Sequence, residues 1–299
     1  MTEMMKTIME KIAIVTDTNS NITQEEGKEL GVYVLPMPYF VNGEINYEGT
    51  GLTHKELYEK MYAGADVSTS MPSPGDVMDI WNKALEENDV VVHIPMSSGL
   101  SASYEAASQL ANDEYGEKVL VVDSKRASVA LRQLIFDAVT IKKAGETAVR
   151  MKEILEETWN NQSVYLSLDT LKFMKKGGRV SAPKAALASV LNIRPVLKLQ
   201  DEKADMVGKA RSMKAAKMKM IEAVKSDMEK YFSDAYDKLI LMGTHTGSEE
   251  DGNGWLDELV ENFPQFKRED ILIRSFPISM ACHAGPGSYG LAIAKKLIL

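Results

Sequence analysis

The sequence predicts an α/β fold in two domains, and three observations carry that reading. Short β-rich runs alternate with amphipathic helical segments along the first half, the pattern of a parallel sheet covered by helices. The run Val90-Val91-Val92-His93-Ile94 is almost continuously apolar, as in a strand buried on both faces of such a sheet. At 299 residues the chain is too long for one ordinary core and comfortable for two.

Strands are expected over 12–15, 32–35 and 39–41, with Pro36 and Pro38 between the last two. Helices follow over 54–63 and 75–87, the second showing Val77, Ile80, Trp81 and Leu85 at helical spacing. The buried run 90–94, a helix over 101–112, a strand over 119–122 and long helical stretches to about residue 160 complete the first half. The second half opens on an alternating strand over 163–168 and a basic segment over 172–179. Further strands are expected over 194–199, 238–242 and 271–278, and helices over 209–230, 255–262 and 289–297. The boundary falls near residue 160, giving domains of 11–160 and 161–299.

Hydrophobic residues at 44% supply cores and leave enough to line an internal cavity. A net charge of −8 repels nucleic acid and anionic membrane, so a bound anion has to be held by local groups. The single cysteine, Cys282, rules out an intramolecular disulfide and fits a reducing compartment. Residues 1–10 are too polar, with acids at Glu3 and Glu10, for a signal peptide. No run approaches the roughly 18 apolar residues of a membrane span. A cytoplasmic protein, not an integral membrane one, is expected.

Four segments carry chemistry. In Ile94-Pro95-Met96-Ser97-Ser98-Gly99-Leu100-Ser101-Ala102-Ser103-Tyr104 a buried strand gives way to a helix, and ligands of open α/β sheets sit at the carboxyl ends of strands. A helix start there offers unpaired N–H groups to an anion; the plainer alternative is that Ser98 or Ser101 caps the helix. Thr69-Ser70-Met71-Pro72-Ser73-Pro74-Gly75-Asp76 sets hydroxyls on a proline-stiffened turn, which read alone is a capping loop. Cys282-His283-Ala284-Gly285-Pro286-Gly287-Ser288 is expected to connect a strand to the last helix. It holds a histidine able to donate to a carboxylate or phosphate, and its glycines suggest close approach or positive φ; a lone histidine is more often structural. Lys175-Lys176-Gly177-Gly178-Arg179 and the run Lys209, Arg211, Lys214, Lys217, Lys219 are basic islands, either solvated faces or docking surfaces for an acidic partner or a phosphorylated ligand.

Together and in this order, these segments resemble the DegV family of bacterial lipid-binding proteins. That family shows a Thr-Ser-Gln-Pro-Ser loop, a Ser-Ser-Gly-Leu-Ser-Gly-Thr-Tyr turn, a Lys-Gly-Gly-Arg segment and a His-x-Gly-Pro-Gly turn. The resemblance runs from about residue 12 to residue 297. It implies a three-layer parallel-sheet N-terminal domain, a mixed-sheet C-terminal domain and a lipid tunnel at their interface. It also implies a carrier rather than an enzyme, with no cofactor and with a bound long-chain fatty acid such as palmitate, stearate or oleate. Family members of the fatty-acid-kinase system present the acyl carboxyl to a separate kinase and then carry the acyl phosphate, in the service of phospholipid metabolism. Carried over, the head-group ligands are Thr69, Ser98 or its neighbour Ser97, and His283, with Ser70 and Gly99 beside them. Arg179 matches the family arginine associated with kinase engagement, and Arg211 lies in a similar basic segment. Met71 stands where Gln is usual, which removes any polar contact from that side chain, and Ala102-Ser103 stands where Gly-Thr is common.

The residues alone also allow a serine-dependent hydrolase or acyltransferase, with Ser98 as nucleophile and His283 as base. Against it, Gly99-Leu100-Ser101-Ala102-Ser103 lacks the closing glycine of a nucleophile elbow, and no acid partner is visible. A nucleotide enzyme is disfavoured by the lack of a Walker loop or a Rossmann glycine fingerprint. His54, His93, His245 and His283 lack metal-site spacing, and His93 reads as a core histidine.

Overall fold

The computed structural model describes residues 10–179, 193–200 and 203–298; the amino-terminal stretch weighed above as a leader lies, apart from Glu10, outside them. Strands β1 (Ile12–Asp17), β2 (Val32–Leu35), β6 (Val90–Ile94) and β7 (Val119–Val121) form an all-parallel sheet in the order β2-β1-β6-β7. Along β1, Ile12 and Ile14 join one core cluster and Ala13 and Val15 another, the period-two split of a strand covered on both faces. Helices α5 (Ser128–Ala144) and α6 (Ala148–Glu157) cover the first face, and α3 (Pro74–Leu85) and α4 (Ser103–Glu114) the second. Three layers result, as expected.

The second half is built on a six-stranded mixed sheet. It contains β8 (Gln162–Ser167), β9 (Arg194–Gln200), β10 (Lys203–Ala210), β11 (Leu239–His245), β12 (Leu272–Ser275) and β13 (Tyr289–Lys295), in the order β10-β9-β8-β13-β11-β12. The β11–β12 pair is parallel and the other pairs are antiparallel. Helices α8 (Met213–Tyr231) and α9 (Glu249–Asn262) pack Met220, Val224, Trp255 and Leu259 on Leu241, Leu291 and Ile293. On the other face, Val129 of α5 meets Met242, Ala292 and Ala294. Since α5 lies between the two sheets, its buried residues run around the helix rather than along one stripe.

A third, antiparallel sheet joins β3 (Pro38–Val41), β4 (Glu44–Tyr47) and β5 (Val67–Thr69) in the order β4-β3-β5. With α2 (His54–Tyr62) it packs on α10 (Ile278–Ala284). Tyr39, Leu57 and Val67 thereby share one core with Phe276, Ala281 and Cys282, across the two halves of the chain.

Several expectations need correction. The helix expected over 289–297 is the strand β13, paired with β8 on one side and β11 on the other. Its Leu-Ala-Ile-Ala run has helical composition, but Leu291 and Ile293 face one core while Ala292 and Ala294 face another, so sheet pairing overrides propensity. The helix expected over 209–230 starts at Met213, capped by Ser212, and is preceded by β10. The strand expected over 271–278 stops at Ser275, and Pro277 starts a helix instead of continuing an extended run. The segment holding His283 therefore closes a helix and leads into a strand, the reverse of the expected order. The helix expected over 255–262 begins at Glu249, where Ser248 and Asp251 form a capping box ahead of two glycines. Within the basic run, Lys217 is buried, with Nζ 3.8 Å from the Tyr289 ring centroid and 2.9 Å from Glu258, so it belongs to no solvated face. Helix α1 (Gln24–Leu30), β4, β5 and the helix α7 (Lys172–Gly177) escaped the periodicity reading because each is short.

Leu131 of α5 is fully buried in the first core. Leu131→Ala is expected to lower stability by about 2–5 kcal/mol, read as a shifted midpoint in chemical denaturation.

Candidate functional site

The three-stranded sheet ends on Thr69, and α10 carries His283 in its last turn. Thr69 Oγ1 and His283 Nε2 lie 2.7 Å apart, a hydrogen bond across the two halves of the chain. Burial, with the nearby positive charge of Arg179 adding to it, pushes the His283 imidazole down to about 4. The ring is neutral at neutral pH, so Nε2 either donates to the Thr69 hydroxyl or accepts from it. Its seat is made by α7: a methyl group added at Gly177 would overlap the ring at Nδ1. Gly285 and Gly287 both adopt positive φ, and a side chain at Gly285 would also collide with Phe173. The Gly-Pro-Gly turn thus does both things its glycines suggested.

The second loop leaves the carboxyl end of β6. Ser97 is buried and organises the turn: its N–H donates to Arg126 O at 2.8 Å, and its carbonyl accepts from Leu100 N and Ser101 N at 3.1 Å. Its hydroxyl accepts from Gly99 N at 3.2 Å. Ser98 and Gly99 are half-buried beside it, so of the two serines Ser98 is the more accessible. Neither Ser98 nor Ser101 is the helix cap; that position is Ala102, whose side chain makes no capping bond. In the first loop the capping reading holds for Ser73, which forms a capping box with Asp76, while Ser70 is exposed.

Arg179 joins this cluster. Its Nε donates to Leu100 O at 3.2 Å and its Nη1 to Gly177 O at 2.5 Å, tying α7 to the second loop. Arg211 lies elsewhere, exposed in the turn between β10 and α8. His93 is a core histidine, as expected, packed 5.6 Å from the Trp81 ring and held down to about 3 by burial.

An apolar-walled cavity of about 30 Å³ borders both loops, lined among others by Met71, Pro72, Val77, Pro95, Ala107 and Leu110. It lies between the parallel sheet and α3 and α4, among N-terminal elements, and not at the junction where the tunnel is expected. A cleft of about 1600 Å³ does open at the junction, bordered by Glu26, Leu52, Arg132, Met242, Leu256 and Arg274. Thr69, Ser98 and His283 are not among the described residues lining it. Sequence reasoning passed over Asp17, whose buried carboxylate accepts from Met96 N at 3.0 Å and from Asn19 N at 2.9 Å. Burial raises it to about 6 against the pull of those bonds. The signal was present in the polar stretch directly after the first buried strand.

A doubly covered parallel sheet, with loops at its carboxyl edge meeting a buried imidazole from a second, mixed sheet's half of the chain, defines a two-sheet α/β protein whose polar loops gather where such folds place their ligand sites. The family model described as "uncharacterised protein, DegV family" matches residues 11–296. The chain belongs to the DegV family, as its four motifs indicated. It is 30% identical over 283 residues to a DegV domain-containing protein of Deinococcus radiodurans, covering 94% of this chain and 98% of that one. Among solved structures, a DegV family protein of Thermus thermophilus described for its fatty-acid binding is 29% identical, with a TM-score of 0.84 over 95% of this chain and 99% of that one. A DegV family protein of Ruminococcus gnavus, described with vaccenic acid, is 26% identical, with a TM-score of 0.79 over 94% and 99% of the two chains. Fatty-acid binding is thus a described property of DegV family proteins.

Gly177→Ala should drive the His283 ring away from Thr69, raise its titration midpoint from about 4 toward the ordinary value, and lower stability by roughly 1–3 kcal/mol. An NMR titration of the imidazole reads the first effect and denaturation the second. The pH dependence has a definite sign. The folded midpoint lies below the ordinary 6.5, so on acidification the unfolded chain takes up the proton first, and stability is lost as pH falls from about 6.5 toward 4. Between about pH 7.5 and 5, wild type should lose about 2 kcal/mol more stability than His283→Gln.

Proposed function

We propose that this chain binds a long-chain fatty acid, holds its carboxylate at Thr69, Ser98 and His283, and presents it to a fatty acid kinase, carrying first the acid and then the acyl phosphate. The observation that carries the reading is the 2.7 Å contact between Thr69 Oγ1 and a neutral His283 Nε2. A hydroxyl and an N–H at that spacing can each turn a donor toward one carboxylate, and the pair satisfies itself when no ligand is present. Arg179 adds a nearby positive charge that favours an anionic head group. The fatty acids described with the Thermus and Ruminococcus relatives support the same ligand class here.

The tail has the larger share of the binding energy. A palmitate chain carries roughly fifteen methylene-type groups, each contributing about 0.8 kcal/mol on burial, so the gross term is on the order of 12 kcal/mol. Each hydrogen bond to a charged head group adds about 1.5–3 kcal/mol. Tail burial sets affinity, and Thr69, Ser98 and His283 set orientation and separate acid from ester. Arg179 and Arg211 are the residues proposed to meet the kinase. The change of sheet at Gln162 supports domains of 11–160 and 161–299, and a single buried cysteine suits a cytoplasmic setting. The hydrolase alternative draws no support from the imidazole. His283 Nε2 bonds Thr69, and a group held down to about 4 is a weak base at neutral pH.

Protein purified from bacteria and examined by native mass spectrometry should carry the mass of one long-chain acid, recoverable by solvent extraction; a polar metabolite in its place would end the proposal. His283→Ala is expected to weaken fatty-acid binding by roughly ten- to a hundredfold, a small part of the tail's contribution, while kinase-dependent phosphorylation of the bound acid falls much further. A normal phosphorylation rate in that variant would remove the head-group role.

A further inference from the structure

Glu48 is an inward-turned acid that the head-group reading leaves unused. It sits in the turn after β4; the residue is half-buried, but its carboxylate points into the seam between the halves. Oε1 accepts from the backbone N–H of Ile278, the first residue of α10, at 2.5 Å. Oε2 accepts from the Thr18 hydroxyl at 2.8 Å. Ser279 Oγ lies 3.4 Å from Oε2 as a further, longer donor, and desolvation still pushes this carboxyl up to about 7 against the pull of these bonds.

A second line of bonds starts one residue further along the same helix. Ser279 Oγ donates to Asn19 Oδ1 at 2.6 Å, and Asn19 N donates to Asp17 Oδ1 at 2.9 Å. Asp17 Oδ2 accepts from Met96 N at 3.0 Å. Glu48 and Asn19 thus fasten the start of α10 to the end of β1, and Asp17 fastens the end of β1 to the residue before Ser97. His283 lies on the next turn of that short helix, so a shift at Ile278 moves the imidazole with it.

The geometry points to Glu48 as a positioning residue of the head-group site, one that sets α10, and with it His283, at the correct height against the loop of Ser97 and Ser98. This rests on the reading of Thr69 and His283 as head-group ligands. Glu48 borders the junction cleft and bonds Thr18, Ile278 and Ser279 rather than Thr69, Ser98 or His283, so its effect on the head-group residues passes through the helix. Its loss should therefore blur recognition of the carboxylate and leave tail binding in place, which a purely stabilising residue would not do.

The test uses the full chain stripped of lipid and titrated with palmitic acid and, separately, with methyl palmitate. Wild type is expected to prefer the acid, and His283→Ala to reduce that preference. Glu48→Ala is expected to reduce it by roughly tenfold, the size of one charge-assisted hydrogen bond, with ester affinity nearly unchanged. Glu48→Gln keeps an acceptor for the Ile278 N–H and should restore most of the preference. An unaltered preference in Glu48→Ala, or an equal loss of acid and ester binding, overturns the positioning role. If His283→Ala has already reduced the preference in the same experiment, the head-group reading survives that outcome. If wild type does not distinguish acid from ester, the head-group reading itself fails, and this inference falls with it. Should Glu48→Ala fail to fold, Ser279→Ala, which cuts the link to Asn19, is expected to reduce the preference as well, and a wild-type preference there overturns the inference.

Discussion

The hydrogen bond between Thr69 and His283 joins residues 214 positions apart, and the candidate site exists only because α10 is seated on the small antiparallel sheet. One such bond contributes about 1 kcal/mol net, far too little to hold two halves of a chain together. Apolar packing does that: Tyr39, Leu57 and Val67 share a core with Phe276, Ala281 and Cys282. Packing brings the partners into range, and the hydrogen bond then selects one register among those the packing allows. The bare backbone of Gly177 completes the constraint, because the imidazole reaches Thr69 only where α7 can lie directly against it.

The electrostatics around this point are local. The chain carries a net charge of −8, and two inward-facing acids, Asp17 and Glu48, lie in the polar seam that leads to the second loop. Burial raises both, Asp17 to about 6 and Glu48 to about 7, so this part of the molecule carries less negative charge than its composition suggests. Arg179, tied by two backbone carbonyls to the loop and to α7, supplies the opposing charge and helps keep His283 neutral. An anionic head group near Thr69 would meet neutral donors and one fixed cation, in a protein whose overall field repels anions.

The two halves differ in how plainly they read from the sequence. The run 90–94 is apolar at nearly every position, which only a doubly covered strand needs, and it proved to be one of the two central strands of the parallel sheet. Residues 289–295 have the composition of a helix and form a strand, because neighbours on both sides supply partners that no local pattern announces. The four motifs single out Thr69, Ser98, Arg179 and His283, and the fold brings Thr69 against His283; the motifs read Arg179 as a partner surface alone, with no sign that its side chain bonds the second loop. Asp17, Asn19 and Ser279 stayed unnoticed because each is an ordinary polar residue until the fold turns it toward another.

By itself, then, the sequence determined the fold class, the presence of a parallel sheet in the first half and the loops that carry the polar groups, since these follow from periodicity, strand burial and local turn chemistry; the family followed from four motifs in order, and the antiparallel sheet over 38–69 was not announced. The tertiary structure alone decided which of those groups meet. The contact of Thr69 with His283, the seat that Gly177 provides, and the fastening of α10 by Glu48 all join segments far apart in the chain. Local chemistry fixes what each loop can offer, but only the burial of apolar surface between distant elements fixes where it is offered.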